Sequence, residues 1–188
     1  MKKIVVVHGV GYQAQGSEKI TAFMAKLSSA TGAECEPFIW DHPGELPDGP
    51  RHSWFFTAVK NFVYEVLMDY THVILNLEKI VAELPPADLY VGHSAGSVIV
   101  SRANVPLVLI GSPVQLVKNV EIQDDNENIL NIMHFRDPIA APVDGAVNTI
   151  VYRPYFSSLI NFGAAHTSYW TNKTVLKKIT EWCNEKVK

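Results

Sequence analysis

A serine lies between two glycines in residues 92–96, which read Gly-His-Ser-Ala-Gly. The apolar run Leu89–Val91 enters this G-x-S-x-G pattern, and a helical pattern that starts at Ala95 leaves it. In such a strand–turn–helix, glycines relieve crowding around a strained serine, whose hydroxyl then stands above the carboxyl end of a sheet. The spacing therefore predicts that Ser94 is the nucleophile of an acyl-transfer reaction. The alternative is a turn in which Ser94 only caps the following helix.

A second glycine-rich turn follows the first apolar run of the chain, Ile4–Val7. Residues 8–11 read His-Gly-Val-Gly, and glycines let a backbone approach a reacting centre closely. The N–H groups of Val10 and Ala95 are expected to converge on an acyl oxygen as it becomes an oxyanion, with Gly11 as the alternative to Val10. Otherwise the turn only ends the strand. A third glycine and a downstream acidic residue are missing, which argues against a dinucleotide-binding fingerprint.

Short apolar runs alternate with helical patterns along the chain, and this alternation is typical of a parallel sheet with helices on its faces. We predict one α/β domain over residues 1–188, a three-layer α/β/α sandwich with a mostly parallel six-stranded sheet. The predicted strands are Ile4–Val7, Glu34–Trp40, Leu89–Gly92, Pro106–Ile110, Ile129–Arg136 and Thr149–Arg153. The predicted helices cover Ser17–Ser29, most of 51–84, Ala95–Arg102 and Asn172–Lys186.

The composition excludes several classes of protein. Of 188 residues, 47% are hydrophobic and 19% charged, with a net charge of -3, which argues against a nucleic-acid partner. No run is long enough to span a membrane, and the apolar run at the N-terminus is too short for a signal peptide. Cys35 and Cys183 share no metal or redox spacing. We expect a cytoplasmic protein that needs no cofactor or metal, and its oligomeric state stays open.

These motifs resemble those of the α/β-hydrolase superfamily. The resemblance rests on Val5–Gly9 and on residues 92–96, and it extends over nearly the whole chain. It implies a minimal α/β-hydrolase fold with a triad in the order Ser, acid, His, here Ser94, Asp137 and His166. The Asp-Pro-Ile step and the His-x-x-Tyr-Trp tail are similar to those of class 3 lipases. Ala95 and Ser97 replace the Leu and second Gly usual in that class, which argues against triacylglycerol lipase activity.

The residues themselves favour the same base and acid. An activated serine needs an imidazole as base and a carboxylate to orient it. His166 follows the last predicted strand, whereas the other histidines lie in the glycine turns, inside a strand or ahead of the elbow. These other histidines are His8, His42, His52, His72, His93 and His134. Asp137 is expected at a strand end because Pro138 cannot continue the ladder, and Asp144 remains the alternative acid.

The segment over residues 51–84 is longer than one crossover helix needs and carries many aromatic side chains. Either these side chains only cover the sheet, or part of the segment overhangs Ser94 and forms a shallow apolar pocket for small to medium acyl groups. The predicted substrate-binding residues are Gly9, Gly11, His93, Trp54 and Phe55.

The sequence as a whole predicts a serine hydrolase that cleaves small-molecule carboxylic esters through an acyl-enzyme. A thioesterase, an acyltransferase or a peptidase would use the same three residues. Two alternatives lie outside this chemistry: a non-catalytic binding module on the same fold, and a flavodoxin-like fold with another function. The flavodoxin-like alternative would leave the elbow glycines and His166 unexplained.

Overall fold

Six parallel strands form one sheet within the residues that the computed structural model describes, namely 1–9, 17–40, 70–117, 122, 126–152 and 166–187. The strands are β1 (Lys3–Val7), β2 (Glu34–Phe38), β3 (Leu89–His93), β4 (Leu107–Ile110), β5 (Ile129–His134) and β6 (Val147–Val151). Their order across the sheet is β2-β1-β3-β4-β5-β6, and every neighbouring pair is parallel. Because parallel strands share a carboxyl edge, the loops that leave β1, β3, β4 and β5 all emerge at that edge.

Helices cover both faces of this sheet. Successive residues of a strand point to opposite faces, and β1 shows this: Ile4 and Val6 belong to one apolar cluster, Val5 and Val7 to the other. The first cluster contains buried residues of α1 (Ser17–Thr31) and α4 (Lys173–Lys186). The second contains buried residues of α2, described over residues 70–82, and of α3 (Ala95–Val100). The predicted three-layer α/β/α sandwich is therefore confirmed.

Three predicted strands, β2, β5 and β6, end earlier in the structure than in the sequence pattern. The apolar pattern of β5 continues through Phe135, but the Asp137 N–H donates to the His134 carbonyl at 2.8 Å, and this turn ends the strand. β2 ends at Phe38, and Trp40 is buried against the α2 face of the sheet instead. β6 lies two residues earlier than predicted, at Val147–Val151.

Helix α2 follows most of the inward-facing stripe that the sequence predicts, Ile74, Leu77, Ile80, Val81 and Leu84, but differs at its first residue. Ile74 fits an inward-facing stripe in the sequence, yet it is 45% exposed. Leu77 and Ile80 of the expected stripe are buried, but Val73 takes the inward position in place of Ile74. The aromatic part of the 51–84 segment, including Trp54 and Phe55, lies outside the described residues. None of the helices in the described ranges is long and apolar enough to cross a membrane.

Candidate active site

Ser94 occupies a strained turn between β3 and α3. Its φ is 54° and its ψ is -123°, and it has the only positive φ among the described non-glycine residues. Such a backbone costs about 1–3 kcal/mol and persists where the surrounding structure imposes it. A Cβ at Gly92 would lie 2.6 Å from Val100 Cγ2, and one at Gly96 would lie 2.2 Å from the Val7 carbonyl oxygen. Both glycines are therefore required by close packing, as predicted.

Hydrogen bonds from α3 and β4 fix this turn. The Ser94 N–H donates to the Ile110 carbonyl at 3.0 Å, which ties the elbow to β4. The Ser97 hydroxyl donates to the Ser94 carbonyl at 2.5 Å and lies 2.8 Å from Ser112 Oγ. Ser97, which departs from the lipase pattern in the sequence, thus supports the first turn of α3.

The turn after β1 lies directly against the serine. A Cβ at Gly9 would be 2.5 Å from Ser94 Cβ and 3.1 Å from Ser94 Oγ, so only glycine fits. Ala95 is the first residue of α3 and is fully buried. The N–H groups in the first turn of a helix have no acceptor within the helix, and the Ala95 N–H is the first of them, as the predicted role of Ala95 as a backbone donor requires. The second predicted donor, Val10, and the alternative Gly11 lie outside the described residues.

His166 and Asp137 form a buried hydrogen-bonded pair. His166 Nδ1 lies 2.8 Å from Asp137 Oδ2, and the two residues are 7% and 6% exposed. Asp137 lies in the turn after β5, and His166 has a helical backbone rather than the loop expected from the sequence. Asp144, the alternative acid, is an exposed turn residue. The structure thus brings Asp137 to the histidine.

Three donors hold the Asp137 carboxylate. They are His166 Nδ1, the Tyr169 hydroxyl at 2.8 Å from Oδ2, and the Ile139 N–H at 3.0 Å from Oδ1. Burial opposes ionisation of Asp137, but these hydrogen bonds and the proximity of His166 outweigh it and hold its pKa below the ordinary value. Burial raises the pKa of Tyr169, and the Asp137 carboxylate raises it further, so the phenol stays protonated as a donor.

His93 joins the elbow to the histidine segment. Its Nε2 donates to the His166 carbonyl at 2.8 Å, and the two imidazole rings lie 4.7 Å apart. Trp170 contacts His93 edge-on at 5.0 Å. Burial, and after it the neighbouring His166, lower the pKa of His93 to about 3. His93 is therefore neutral near pH 7 and holds the His166 carbonyl in place. Its predicted role in substrate binding stays a prediction.

Gly111, which follows β4, lets these groups approach one another. It has a φ of 54°, and a Cβ there would lie 2.9 Å from Asp137 Oδ2 and 3.2 Å from His166 Cε1. Since the residue before it, Ile110, accepts the Ser94 N–H, the acid–base pair and the elbow meet at the end of one strand. His166 Nε2 is buried and has no hydrogen-bond partner among the described residues. It is thus available to accept a proton.

Sequence reasoning missed Tyr70, which contacts the serine. The Tyr70 hydroxyl lies 3.1 Å from Ser94 Oγ. Tyr70, Val73 and Leu77 recur at helical spacing in α2, and that stripe is the signal that could have placed the tyrosine toward the sheet. The predicted pocket residues Trp54 and Phe55 lie outside the described ranges. Within those ranges no cluster of three His, Cys, Asp or Glu side chains could hold a metal ion.

The fold is similar to those of several solved hydrolases. The esterase domain of a Rhodothermus marinus protein is 13% identical with a TM-score of 0.50, covering 100% of this chain and 88% of that one. A Xanthomonas campestris pv. campestris protein, provisionally described as a hydrolase of the α/β superfamily, is 16% identical with a TM-score of 0.52, covering 98% and 97%. No family model and no curated protein matches the chain. At this identity the likeness shows the fold, and the chain has the α/β-hydrolase fold.

Proposed function

We propose that the protein is a serine hydrolase that cleaves carboxylic esters, with Ser94 as nucleophile, His166 as general base and Asp137 as the orienting acid. One observation carries the proposal: a strained serine and a buried histidine–carboxylate pair lie at the same carboxyl edge of the sheet. Backbone strain concentrates at functional sites, and a structural turn would not need a serine with positive φ. A buried imidazole with an unused Nε2 supports a role in proton transfer.

The chemistry follows from these positions. His166 Nε2 takes the Ser94 proton as Oγ attacks the acyl carbon, and the carbonyl electron pair moves onto the oxygen. The Ala95 N–H stabilises that oxyanion, and Val10 is proposed as the second donor. Asp137 keeps Nδ1 of His166 protonated and stabilises the imidazolium. His166 then protonates the leaving alcohol and activates water, which releases the acid from Ser94.

The substrate class is proposed as carboxylic esters with small to medium acyl groups. The Rhodothermus marinus domain with the similar fold is an esterase, which supports ester chemistry. The chain-length range rests on the aromatic segment over residues 51–84, which would form a shallow pocket because the sequence offers no other insertion large enough to be a cap domain. A thioester or amide bond would meet the same Ser94 and His166, so the leaving group must be determined by experiment.

A fluorophosphonate probe tests the proposal directly. Such a probe phosphonylates an activated serine, and we expect one adduct on the peptide that contains Ser94, detected by mass spectrometry of the digested protein. The Ser29→Ala variant, which removes an exposed serine of α1, should still be labelled, whereas Ser94→Ala should not. The same preparation is then assayed with p-nitrophenyl esters of increasing chain length, a thioester and an amide. Absence of labelling in folded wild-type protein, together with no hydrolysis of any substrate, would refute the proposed function.

A further inference from the structure

The Ser94 hydroxyl has a phenol as its partner in the described part of the chain. Tyr70 Oη lies 3.1 Å from Ser94 Oγ, a hydrogen-bond distance. His166 Nε2, which must take the Ser94 proton, has no hydrogen-bond partner among the described residues. In this structure the Ser94 hydroxyl is therefore hydrogen-bonded to Tyr70, and it must instead bond to His166 Nε2 before Oγ attacks.

Tyr70 is held in place by the docking of α2 on the sheet. Val73 and Leu77 of the same helix are 0% and 7% exposed, so the face that carries Tyr70 is fixed against the core. Two residues beyond Tyr70, the His72 ring stacks on Trp40 at 6.3 Å, and Trp40 stacks on His8 at 6.1 Å. The Trp40 indole N–H also donates to the His8 carbonyl at 3.1 Å. These contacts anchor the start of the described helix beside the turn after β1.

A donor at this position lies where negative charge develops. In the tetrahedral intermediate, Ser94 Oγ and the former carbonyl oxygen are bonded to the same carbon. A donor within hydrogen-bond reach of Oγ is therefore a short displacement from the oxyanion. Once Oγ is bonded to carbon it is a weak acceptor, whereas the oxyanion is a strong one, so the hydrogen bond is stronger in the transition state than at rest.

We propose, resting on the proposed function, that Tyr70 is a further catalytic residue whose hydroxyl donates a hydrogen bond to the oxyanion beside the Ala95 N–H. As the bond from Oγ to the acyl carbon forms, the Ser94 proton passes to His166 Nε2 and the carbonyl pair moves to oxygen. The Tyr70 proton stays on the phenol throughout. When the carbonyl re-forms, the bond to the leaving oxygen breaks and that oxygen takes the proton from His166.

The electrostatics of Tyr70 fit a neutral donor. Burial raises the pKa of Tyr70 above its ordinary value, although the hydrogen bond to Ser94 acts in the opposite direction, and the Asp137 carboxylate raises it further. The phenol therefore remains protonated across the working range of a histidine base. A neutral phenol adds no charge to the resting site and can stabilise the negative charge that appears during the reaction.

Tyr70→Phe removes the hydroxyl and keeps the ring that packs with α2. We expect kcat to fall by about 10- to 100-fold with KM changed by less than about threefold, because the bond is made in the transition state. The matched control is Tyr90→Phe, which deletes a phenol that donates to the Pro85 carbonyl at 2.6 Å, away from Ser94. This control should keep wild-type kcat. If Tyr70→Phe is folded and its kcat lies within about twofold of wild type, Tyr70 is not an oxyanion donor.

A second measurement separates oxyanion binding from a mere contact with Ser94. In the Ser94→Ala background, calorimetry measures binding of a phosphonate monoester anion, a tetrahedral mimic that forms no covalent bond. Adding Tyr70→Phe should weaken this binding about 10-fold if the phenol contacts the oxyanion. Equal affinities of Ser94→Ala and of the double variant Ser94→Ala/Tyr70→Phe would overturn the proposal and leave Tyr70 as a positioning residue for Ser94. Wild-type protein that resists both fluorophosphonate and esters would instead refute the proposed function itself.

Discussion

The proposed acid–base side of the site, Asp137 and His166, and the proposed nucleophile side, Ser94, differ in how firmly their side chains are held. Asp137 accepts hydrogen bonds from His166, Tyr169 and the Ile139 N–H, at 2.8, 2.8 and 3.0 Å. The Ser94 hydroxyl, within the described ranges, has one contact, with Tyr70 at 3.1 Å. The carboxylate keeps the same partners throughout the proposed reaction. The serine hydroxyl must exchange its partner, and its weaker attachment suits that exchange.

The backbones of the two sides show the reverse pattern. Ser94 has a strained positive φ and is closely surrounded by glycines, so its main chain is fixed by packing. Asp137 lies in an ordinary turn, and its side chain supplies the rigidity through hydrogen bonds. This fold therefore positions Ser94, the proposed nucleophile, by main-chain packing and the proposed acid–base pair, Asp137 and His166, by side-chain hydrogen bonds. Substitutions on the two sides should therefore fail in different ways.

Removing the nucleophile should have the largest effect. We expect Ser94→Ala to lower kcat for esters by roughly three to six orders of magnitude, because neither water nor the backbone donors replace the covalent step. The protein should remain folded because alanine adds no atom to the crowded turn. Circular dichroism checks folding, and initial rates check activity. A folded variant that retains more than about a tenth of the wild-type rate would remove Ser94 from the mechanism.

The orienting carboxylate should rank next. Asp137→Asn is expected to lower kcat by about two to four orders of magnitude, because an amide favours the wrong tautomer of His166 and cannot stabilise the imidazolium. Asp144→Asn is the control, since Asp144 is an exposed turn residue and should leave kcat within about twofold of wild type. Steady-state kinetics on both purified variants provide the measurement. The opposite ranking would make Asp144 the acid.

Local patterns in the sequence were enough to predict the sheet and the elbow. The strand–Gly-His-Ser-Ala-Gly–helix arrangement and the Asp137-Pro138 stop depend on neighbours along the chain, so both could be located without a structure. Strand ends were less accurate because β5 ends through the hydrogen bond between Asp137 and His134 rather than by a change of hydropathy.

Contacts between distant residues account for what the sequence could not predict. Tyr70 meets Ser94 across 24 residues, and Tyr169 meets Asp137 across 32. A tyrosine on a helix is more often a core residue than a donor, so no local pattern distinguishes these two. The phase of α2 was also ambiguous, because both Val73 and Ile74 continue an apolar stripe and only packing selects Val73.

His93 should make the free energy of unfolding depend on pH, because its pKa differs between the folded and the unfolded protein. Its pKa is lowered from 6.5 to about 3 by burial and by His166, while Asp137 raises it and His8 lowers it. On acidification, His93 is protonated in the unfolded chain before it is protonated in the folded protein. The contribution of His93 to the free energy of unfolding is therefore fully present above about pH 6.5 and is lost as the pH falls toward 3. Between about pH 7 and pH 5 the loss from His93 is about 2 kcal/mol.

His93→Gln keeps a side-chain donor for the His166 carbonyl and removes the titration. Urea unfolding of wild type and His93→Gln at both pH values measures the difference. The wild type should lose about 2 kcal/mol more than the variant on acidification. Parallel losses in the two proteins would show that His93 is protonated in the folded state and does not contribute this pH dependence.

The smallest expected effect tests whether the many bonds to Asp137 matter individually. Tyr169→Phe keeps a fully buried ring and removes the hydroxyl that donates to Asp137 and accepts the His134 N–H at 2.7 Å. The His134 N–H, left without its acceptor, should lower the free energy of unfolding by about 1–3 kcal/mol. The Asp137 carboxylate, with one hydrogen bond fewer, should orient His166 less firmly and lower kcat/KM about fivefold. The pKa of Asp137 should rise toward its ordinary value, so the stability it adds is lost at a higher pH on acidification. Tyr152→Phe, at a position 67% exposed, is the control for loss of a phenol. If Tyr169→Phe matches this control in urea unfolding and in kcat/KM, the two remaining donors suffice, and the acid–base side is more redundant than the nucleophile side.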